Sequence, residues 1–165
     1  MSLLMEFLRS LEATPVATAV SQSTWLFPTI ETLHVLSNTL VVGTIMIVDL
    51  RLINVTSRNR PASAIMRETL PITWIAFVCA FITGSLLFSS SATKYAHCWE
   101  FDLKMGMLLL AGINMAVFHL GSYRSVELWD RASMTPVGAR IAGGLSLAIW
   151  VSVVVLGRWV GFATQ

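Results

Sequence analysis

The first long apolar stretch of the chain, residues 29–53, reads TIETLHVLSNTLVVGTIMIVDLRLI. It exceeds the roughly 20 apolar residues that a helix needs to cross a bilayer core. At about 100° per residue its polar side chains share one helix face, because three of them lie within about 60° of His34: Glu31, Asn38 and Asp49. An ionisable group at membrane depth costs roughly 2.5 kcal/mol or more, so such a face normally points into a bundle and marks a functional site or a structural pair.

Three more apolar runs are long enough to span a membrane, namely residues 70–88, 103–123 and 141–162. The chain of 165 residues is 55% hydrophobic and 12% charged, which excludes an ordinary soluble domain. We therefore predict an all-α fold, an integral membrane four-helix bundle that forms a single domain over residues 1–165. The net charge of +2 is small and gives no reason to expect nucleic-acid binding.

The N-terminal residues 1–13 (MSLLMEFLRSLEA) place apolar side chains on one side of a helix and charged ones largely on the other. This pattern predicts a short amphipathic helix that lies in the membrane interface. A signal peptide is not expected, since charges interrupt the apolar residues and no basic region precedes them. Residues 14–27, with Pro15 and many serines and threonines, are predicted to form a connector.

The distribution of basic residues predicts the orientation. Arginines flank the first and third connections between the spans, at Arg51, Arg58, Arg60, Arg67, Arg124, Arg131 and Arg140. The positive-inside bias places both of these connections in the cytoplasm. In a protein of the bacterial inner membrane, both termini would then be periplasmic.

The third span repeats the spacing of the first, because Lys104 and His119 are fifteen residues apart, as His34 and Asp49 are. The two helices run the same way through the membrane, so their polar groups should form two layers. The outer layer would hold His34, Lys104 and, from the end of the fourth span, Arg158. The inner layer would hold the polar groups near the cytoplasmic ends: Asp49, Arg51 and His119. Asp49 could form a packing or topology-fixing ion pair there, with Arg51 or with His119.

The outer layer is the predicted site of a haem b, since histidines that project from membrane helices into a four-helix core commonly ligate it. His34 and His119 cannot share one iron, because their depths differ by about 15 Å at 1.5 Å per residue. His34 would be the axial ligand and His97, from the outer loop, the candidate second ligand. Lys104 and Arg158 would pair with the propionates. The hypothesis describes a redox protein that passes electrons near the periplasmic face, or to a quinone.

Two alternatives stand beside the haem hypothesis. Copper is the alternative metal, with ligands from the outer loop and two spans: His34, His97, Cys98 and Met105. A different class of function is a cofactor-free accessory subunit, in which the polar layers only hold helices together and small-residue faces dock a membrane-protein partner or a second copy of the chain. Asn114 faces away from His119 by about 140°, so we expect it to bond a neighbouring helix or another protomer.

Several segments within residues 29–124 resemble an uncharacterised family of small four-span bacterial membrane proteins: LHVLSNTLVVGTIMIVDLRL, TGSLLF and FDLKMGMLLLAGINMAVFH. Through His34, Arg51 and Lys104 the chain is also loosely similar to HemJ-type membrane protoporphyrinogen oxidases and to CopD-like copper-resistance membrane domains. The HemJ similarity implies haem or porphyrin contact with His34 and Lys104, and protoporphyrinogen oxidation as a third candidate function. The CopD similarity implies copper handling.

Overall fold

The computed structural model describes residues 3–57, 59–130 and 134–163. Within these ranges the chain is helical and has no strand. The helices are α1 (Leu3–Glu12), α2 (Pro15–Gln22), α3 (Leu26–Leu52), α4 (Ala62–Ser90), α5 (Ala92–Tyr95), α6 (Trp99–Leu120), a 3-10 turn (Ser122–Ser125), α7 (Val126–Trp129) and α8 (Val137–Ala163). Four of these described segments are long and apolar enough to cross a membrane: α3, α4, α6 with its continuation to Trp129, and α8. The predicted all-α fold with four spanning helices is confirmed.

The four long helices stand side by side in the order α4, α3, α8, α6. Helix α3 packs along α4 and α6 packs along α8, while α3 and α8 join the two pairs. Below, the end at which α3 stops and α4 begins is called the Arg51 end, and the opposite end is called the His34 end. Phe88 of α4 stacks on Phe101 of α6 at the His34 end, with ring centroids 5.4 Å apart. Elsewhere in the described part of the chain α4 and α6 do not pack along each other, which leaves a gap between them nearer the Arg51 end.

Two apolar clusters fill the bundle. The cluster at the Arg51 end joins five helices through Leu52, Ala62, Met66, Phe118, Trp129, Ala139 and Ala142. The second cluster lies near mid-depth and consists of Val41, Ala76, Trp150 and Val153. The outer surface of the long helices is apolar as well, with large side chains exposed, such as Phe81, Leu109 and Val154. Helices that are hydrophobic all round are typical of membrane spans, so this surface indicates contact with lipid.

Helix α1 lies against the connection between α4 and α6. Glu12 Oε1 accepts hydrogen bonds of 2.7 Å from both the backbone nitrogen and the hydroxyl of Thr93. Leu8 is buried, whereas Phe7 is exposed, so one face of α1 packs on the protein and another is left for the membrane interface. The amphipathic helix predicted over residues 1–13 is confirmed as a helix within the described residues.

Helix α4 begins at Ala62, well before the start at residue 70 that the sequence predicted. Pro71 therefore lies inside the helix and not in its first turn. The early part of α4 carries Arg67 and Glu68 on an exposed side, and these charges lowered the hydropathy of a segment whose other side is buried. The span predicted over residues 70–88 lies within α4, which continues beyond it at both ends.

Residues 14–27, predicted to be a connector, contain helix α2. Thr14 is the N-cap, and its hydroxyl accepts a hydrogen bond of 3.4 Å from the backbone nitrogen of Ala17. Pro15 follows in the first turn, so a Thr cap and a Pro together start this helix. The spans predicted at 29–53, 103–123 and 141–162 correspond to α3, α6 and α8, each of which begins slightly earlier than predicted.

Candidate functional site

The four long helices line a cavity of about 200 Å³ in the half of the bundle nearer the Arg51 end. Most of its wall is apolar. Five polar side chains reach it: Asp49 from α3, Thr73 from α4, Asn114 and His119 from α6, and Ser146 from α8. Trp74 and Phe77 of α4 and Met115 of α6 also line the cavity, and they are 51%, 40% and 43% exposed. The cavity therefore opens between α4 and α6, toward the surrounding lipid.

Asp49 is the buried carboxyl group of this cavity, with 4% of its surface exposed. The Ser146 hydroxyl of α8 lies close enough to the carboxyl group to interact with it, whereas Oδ2 has no hydrogen-bond partner among the residues that the structure describes. Gly143 lets α8 approach here, because a Cβ at that position would lie 3.0 Å from Leu52 Cβ and 3.2 Å from the Asp49 carbonyl oxygen. Asp49 thus sits at the closest contact of α3 with α8, and one acceptor oxygen remains for a ligand.

Asn114 and Thr73 make hydrogen bonds within the bundle. Asn114 Nδ2 donates to the Ala142 carbonyl oxygen at 3.0 Å, a bond between α6 and α8 of the kind predicted from the sequence. The Thr73 hydroxyl lies 2.8 Å from the Thr44 hydroxyl and 2.9 Å from the carbonyl oxygen of its own helix one turn earlier. Both side chains therefore use their donors to link or support the cavity wall.

His119 stands on the α6 side of the cavity. Its Nδ1 lies 2.9 Å from the Met115 carbonyl oxygen, and because a carbonyl can only accept, Nδ1 carries the proton of the neutral ring and Nε2 is an acceptor. The ring also contacts Phe118 and Tyr123, with centroids 5.4 Å and 5.2 Å away. Across the described residues Asp49 and His119 form no ion pair, so this version of the predicted inner-layer pair is wrong.

Arg51 turns away from Asp49, because residues two positions apart do not share a helix face. It is 1% exposed. Its guanidinium donates, over 2.9 to 3.4 Å, to four acceptors in the connections that follow α3 and α6: the Arg60 and Asp130 carbonyl oxygens, Asn54 Oδ1 and Thr135 Oγ1. The predicted ion pair of Asp49 with Arg51 is therefore also wrong. Arg51 instead ties two connections together at its end of the bundle.

Asp130 extends this network to the first turn of α4. Its carboxylate accepts hydrogen bonds from the backbone nitrogen of Ser63 at 2.8 Å and from the Ser63 hydroxyl at 2.5 Å. Burial by itself raises the pKa of Asp130, but the bonds from Ser63 and Ala62 and the charge of Arg51 outweigh it, so the pKa lies below its ordinary value. The ionised carboxylate caps the positive end of α4.

His34 and Lys104 lie near each other toward the His34 end. His34 Nδ1 is 3.0 Å from the Ala80 carbonyl oxygen of α4, and its ring rests against Gly84, where a Cβ would lie 2.9 Å from Cε1. The Lys104 ammonium rests against Gly157 of α8, 3.5 Å from the Cβ position there, and is close enough to the imidazole to interact electrostatically. Two glycines thus make room for two basic side chains.

The other two predicted contacts of a haem, His97 and Arg158, make local contacts. His97 is exposed, and its Nδ1 lies 2.8 Å from the Thr93 carbonyl oxygen. The exposed Arg158 places its guanidinium carbon 4.6 Å from the ring centre of Phe162. Of the four residues predicted for the cofactor, His34 and Lys104 lie within electrostatic range of each other, whereas His97 and Arg158 contact neighbours of their own. Haem b stays a prediction.

The predicted copper ligands can be compared with the chemistry that copper prefers. The buried Cys98 donates its thiol hydrogen to Glu100 Oε2 at 3.1 Å. Burial, followed by the hydrogen bond to Glu100, raises the pKa of the Cys98 thiol, whereas metals bind the thiolate. In the ranges that the structure describes, no group of three or more His, Cys, Asp or Glu side chains is placed to hold a metal ion. Copper stays a prediction.

The chain is a small multi-pass membrane protein, a four-helix bundle with a largely apolar cavity that contains a few polar side chains and opens to lipid. It belongs to the Family of unknown function (DUF6644), which it matches over residues 23–163. The family agrees with the resemblance to small uncharacterised four-span proteins, and it carries no link to HemJ-type oxidases or CopD-like domains. No curated protein and no solved structure gives a significant match.

The cavity and the Arg51 network contain residues that the sequence did not predict: Ser146, Thr73, Asn54, Asp130 and Thr135. Asn54 had a signal, because an asparagine directly after an apolar helix favours the left-handed conformation that ends helices, and its φ is 60°. Ser146 follows the small-residue pair Gly143 and Gly144 by one turn, on a face suited to close helix contact. Thr73 carried no signal that separates it from other threonines in apolar runs.

Proposed function

We propose that this protein is a membrane-embedded binding protein for a small lipid-soluble molecule, which inserts its head group between α4 and α6. The cavity supports the proposal, since it combines about 200 Å³ of space, apolar walls and the buried carboxyl group of Asp49. An apolar cavity of about 150 Å³ engineered into another protein admits benzene. The present cavity therefore suits a head group about the size of one ring, with a tail that extends through the gap into the acyl chains.

A simple packing defect would not explain this combination of features. Voids larger than a water molecule are few in protein interiors and reduce stability. An ionisable side chain at membrane depth is costly as well. The loss of stability from the void and the cost of burying an ionisable group both arise at the same place, where Asp49 lines the cavity. A bound molecule would offset both, by filling the space and by pairing with the carboxyl group.

Two glycines of α6 allow a matched test. Gly112 lines the cavity, and a Cβ there would meet no atom within 4 Å, so Gly112→Phe introduces a ring at the cavity without a clash at the Cβ position. Gly106 has the same free space around its Cβ position but is not among the cavity residues. Gly106→Phe therefore adds the same ring to the same helix without filling the site.

The measurement is quenching of tryptophan fluorescence, because Trp74 and Trp150 line the cavity. Wild-type protein and both variants, reconstituted in phosphatidylcholine bilayers, are titrated with two hexyl-chain ligands that carry a bromobenzyl ring, one neutral and one with a quaternary ammonium group. We expect saturable quenching by at least one ligand in the wild type and in Gly106→Phe, and roughly tenfold weaker binding in Gly112→Phe. Non-saturating quenching that is equal in all three proteins would contradict the proposal.

Electron transfer through haem b is the second candidate, favoured by the proximity of His34 and Lys104. His34 Nδ1 is engaged by the Ala80 carbonyl, so Nε2 is the nitrogen left to ligate an iron. Haem b, when bound, would supply one-electron chemistry, and Lys104 would pair with a propionate. The test is an absorption spectrum of protein purified with haem supplied, oxidised and then reduced. We expect Soret and α bands that His34→Ala abolishes and His119→Ala retains, and a wild-type protein without bands would remove this candidate.

A further inference from the structure

We infer that the molecule bound between α4 and α6 is a lipophilic organic cation, a hydrophobic amine or quaternary ammonium compound whose positive charge pairs with Asp49. The inference rests on the proposed function, because it names the ligand class of the same cavity. It starts from a carboxyl group that is buried and forms no ion pair with any residue that the structure describes.

In the part of the chain that the structure describes, Asp49 forms no ion pair. Among the described residues the titratable side chains of the cavity wall are Asp49 and His119. Arg51 is directed into the connections on the other face of α3, and Lys104 lies toward the His34 end, against α8. A buried carboxylate normally has a cationic partner or several hydrogen-bond donors. Here the chain offers one hydroxyl, that of Ser146.

Helix packing alone does not require an acid at this position. The contact between Asp49 and Ser146 could be made by an asparagine, which carries no charge to desolvate and can also donate. Removing an unpartnered charge from membrane depth would moreover save the cost of burying it. The presence of the carboxyl group is therefore better explained by a ligand that needs a negative charge than by the link between α3 and α8.

The hydrogen-bonding groups of the cavity favour a head group that donates over one that presents only carbonyl oxygens, such as a quinone. The Thr73 hydroxyl already donates within the bundle, and so does one of the two amide N–H groups of Asn114. Acceptors remain, namely Asp49 Oδ2 and, in the neutral ring, His119 Nε2. Carbonyl oxygens would face these acceptors, whereas an ammonium group would meet a negative charge and a lone pair.

Aromatic rings supply the rest of the recognition. Four of them line the cavity: Trp74, Phe77, Phe118 and Trp150. The face of such a ring attracts a cation within about 6 Å of its centre, and more strongly when water is excluded. One carboxyl group among aromatic and aliphatic walls is the chemistry that selects a hydrophobic cation over a small hydrated one, which would lose its water shell without gaining enough oxygen ligands.

The test distinguishes the effect of the ligand's charge from the effect of its shape. One ligand is (4-bromobenzyl)dimethylhexylammonium, and the other is its neutral isostere, in which a quaternary carbon replaces the nitrogen. Both are titrated by tryptophan quenching into the full-length protein in phosphatidylcholine bilayers, and each ligand is compared only across variants. Asp49→Asn keeps the shape of the side chain and removes its charge. Asp102→Asn makes the same change at an exposed aspartate near the start of α6 and is the matched control.

We expect Asp49→Asn to weaken binding of the cation about tenfold or more and to leave the isostere within about twofold. Asp102→Asn should leave both affinities unchanged, and Asp49→Glu should restore part of the cation binding, which separates the loss of charge from a folding defect. The inference would be overturned if Asp49→Asn weakened the binding of both ligands equally and Asp49→Glu did not recover it. Unchanged binding of the cation in Asp49→Asn would also overturn it. In either case the proposed function stands if Gly112→Phe still prevents saturable quenching, and it fails if neither ligand saturates the wild-type protein.

Discussion

Arg51 joins two connections that are far apart in the sequence. Its donors meet carbonyl, amide and hydroxyl oxygens, so that the charge is stabilised by dipoles. Residues 54 and 60 belong to the connection after α3, and residues 130 and 135 to the one before α8. If the guanidinium were removed, these buried and half-buried acceptors would lose a donor. Leaving a buried acceptor unsatisfied costs more than a typical hydrogen bond contributes.

Arg51→Met should therefore lower the free energy of unfolding by about 2–4 kcal/mol. Arg67→Met removes an exposed arginine from α4 and should change it by less than about 0.5 kcal/mol. The measurement is denaturant unfolding of the solubilised protein, followed by tryptophan fluorescence. Equal effects of the two substitutions would mean that the Arg51 network adds nothing specific to stability.

Asp130 should make stability depend on acid pH. Its pKa in the folded protein lies below the ordinary value, which is about 4 in an unfolded chain. Its contribution is therefore fully present above about pH 4 and is lost as the pH falls through the folded-state pKa. We expect Asp130→Asn to have a lower melting temperature than the wild type near neutral pH and a smaller further loss in acid. Asp102→Asn should keep the acid dependence of the wild type, and an unchanged profile in Asp130→Asn would contradict the assignment.

At the scale of the helices, glycines set the distances between them. Helix α8 meets α3 at Gly143, where a Cβ would crowd Leu52 Cβ at 3.0 Å. The neighbouring Gly144 is exposed, and its Cβ position has no atom within 4 Å. One residue of the pair therefore determines the approach of the two helices, and the other does not.

Gly143→Ala should destabilise the protein by about 1–3 kcal/mol, because α3 and α8 must move apart to accept the methyl group. Gly144→Ala should be neutral, or more stable by up to about 1 kcal/mol, since alanine favours the helix more than glycine does. Thermal unfolding of both variants in the same detergent measures the difference. A larger loss in Gly144→Ala than in Gly143→Ala would contradict the contact between these helices.

Hydropathy identified the four long helices because each contains an apolar run of membrane-spanning length. It placed the ends less well, since helices such as α4 continue past the apolar run on charged, half-exposed turns. Hydropathy did not predict helix α2, because the features that indicate this helix are an N-cap residue and a proline and not an apolar periodicity. The first and last residues of a helix depend on local hydrogen bonds, which the mean hydropathy over a window of residues does not detect.

The candidate site was harder to predict, and the reason lies in the position of α3 between two neighbours. His34 and Asp49 are about 60° apart around the helix axis and were expected to share one polar face. In the structure His34 bonds α4 through Ala80, whereas Asp49 contacts α8 through Ser146. For a helix packed on both sides, a modest angular difference is enough to send two side chains to different partners. The angle predicted the burial of Asp49, but Glu31 on the same predicted face is exposed and His34 is half-buried. The partner of each side chain could be identified only from the fold.

At the scale of the whole molecule, four spans place both termini on one side of the membrane, and the positive-inside bias predicts the periplasmic side. The test replaces Cys79 and Cys98 with serine and introduces single cysteines at the exposed positions Ala96 and Asn59, which lie at opposite ends of the bundle. A membrane-impermeant maleimide added to intact cells should label Ala96→Cys, and should label Asn59→Cys only after permeabilisation. The reverse labelling pattern would contradict the predicted orientation.

Association with a second copy or another membrane protein stays a prediction of the sequence. Cross-linking of the same cysteine variants can test it.

The gap between α4 and α6 faces hydrocarbon, and Trp74 and Met115 stand on its two sides. Any compound that reaches Asp49 through this gap must first dissolve in the bilayer. Half-saturation is then governed by the number of molecules per lipid, so the partition coefficient of a compound contributes to its apparent potency as much as its fit does. The acyl chains themselves are competitors, and a change in their length or unsaturation alters occupancy without any change in the protein.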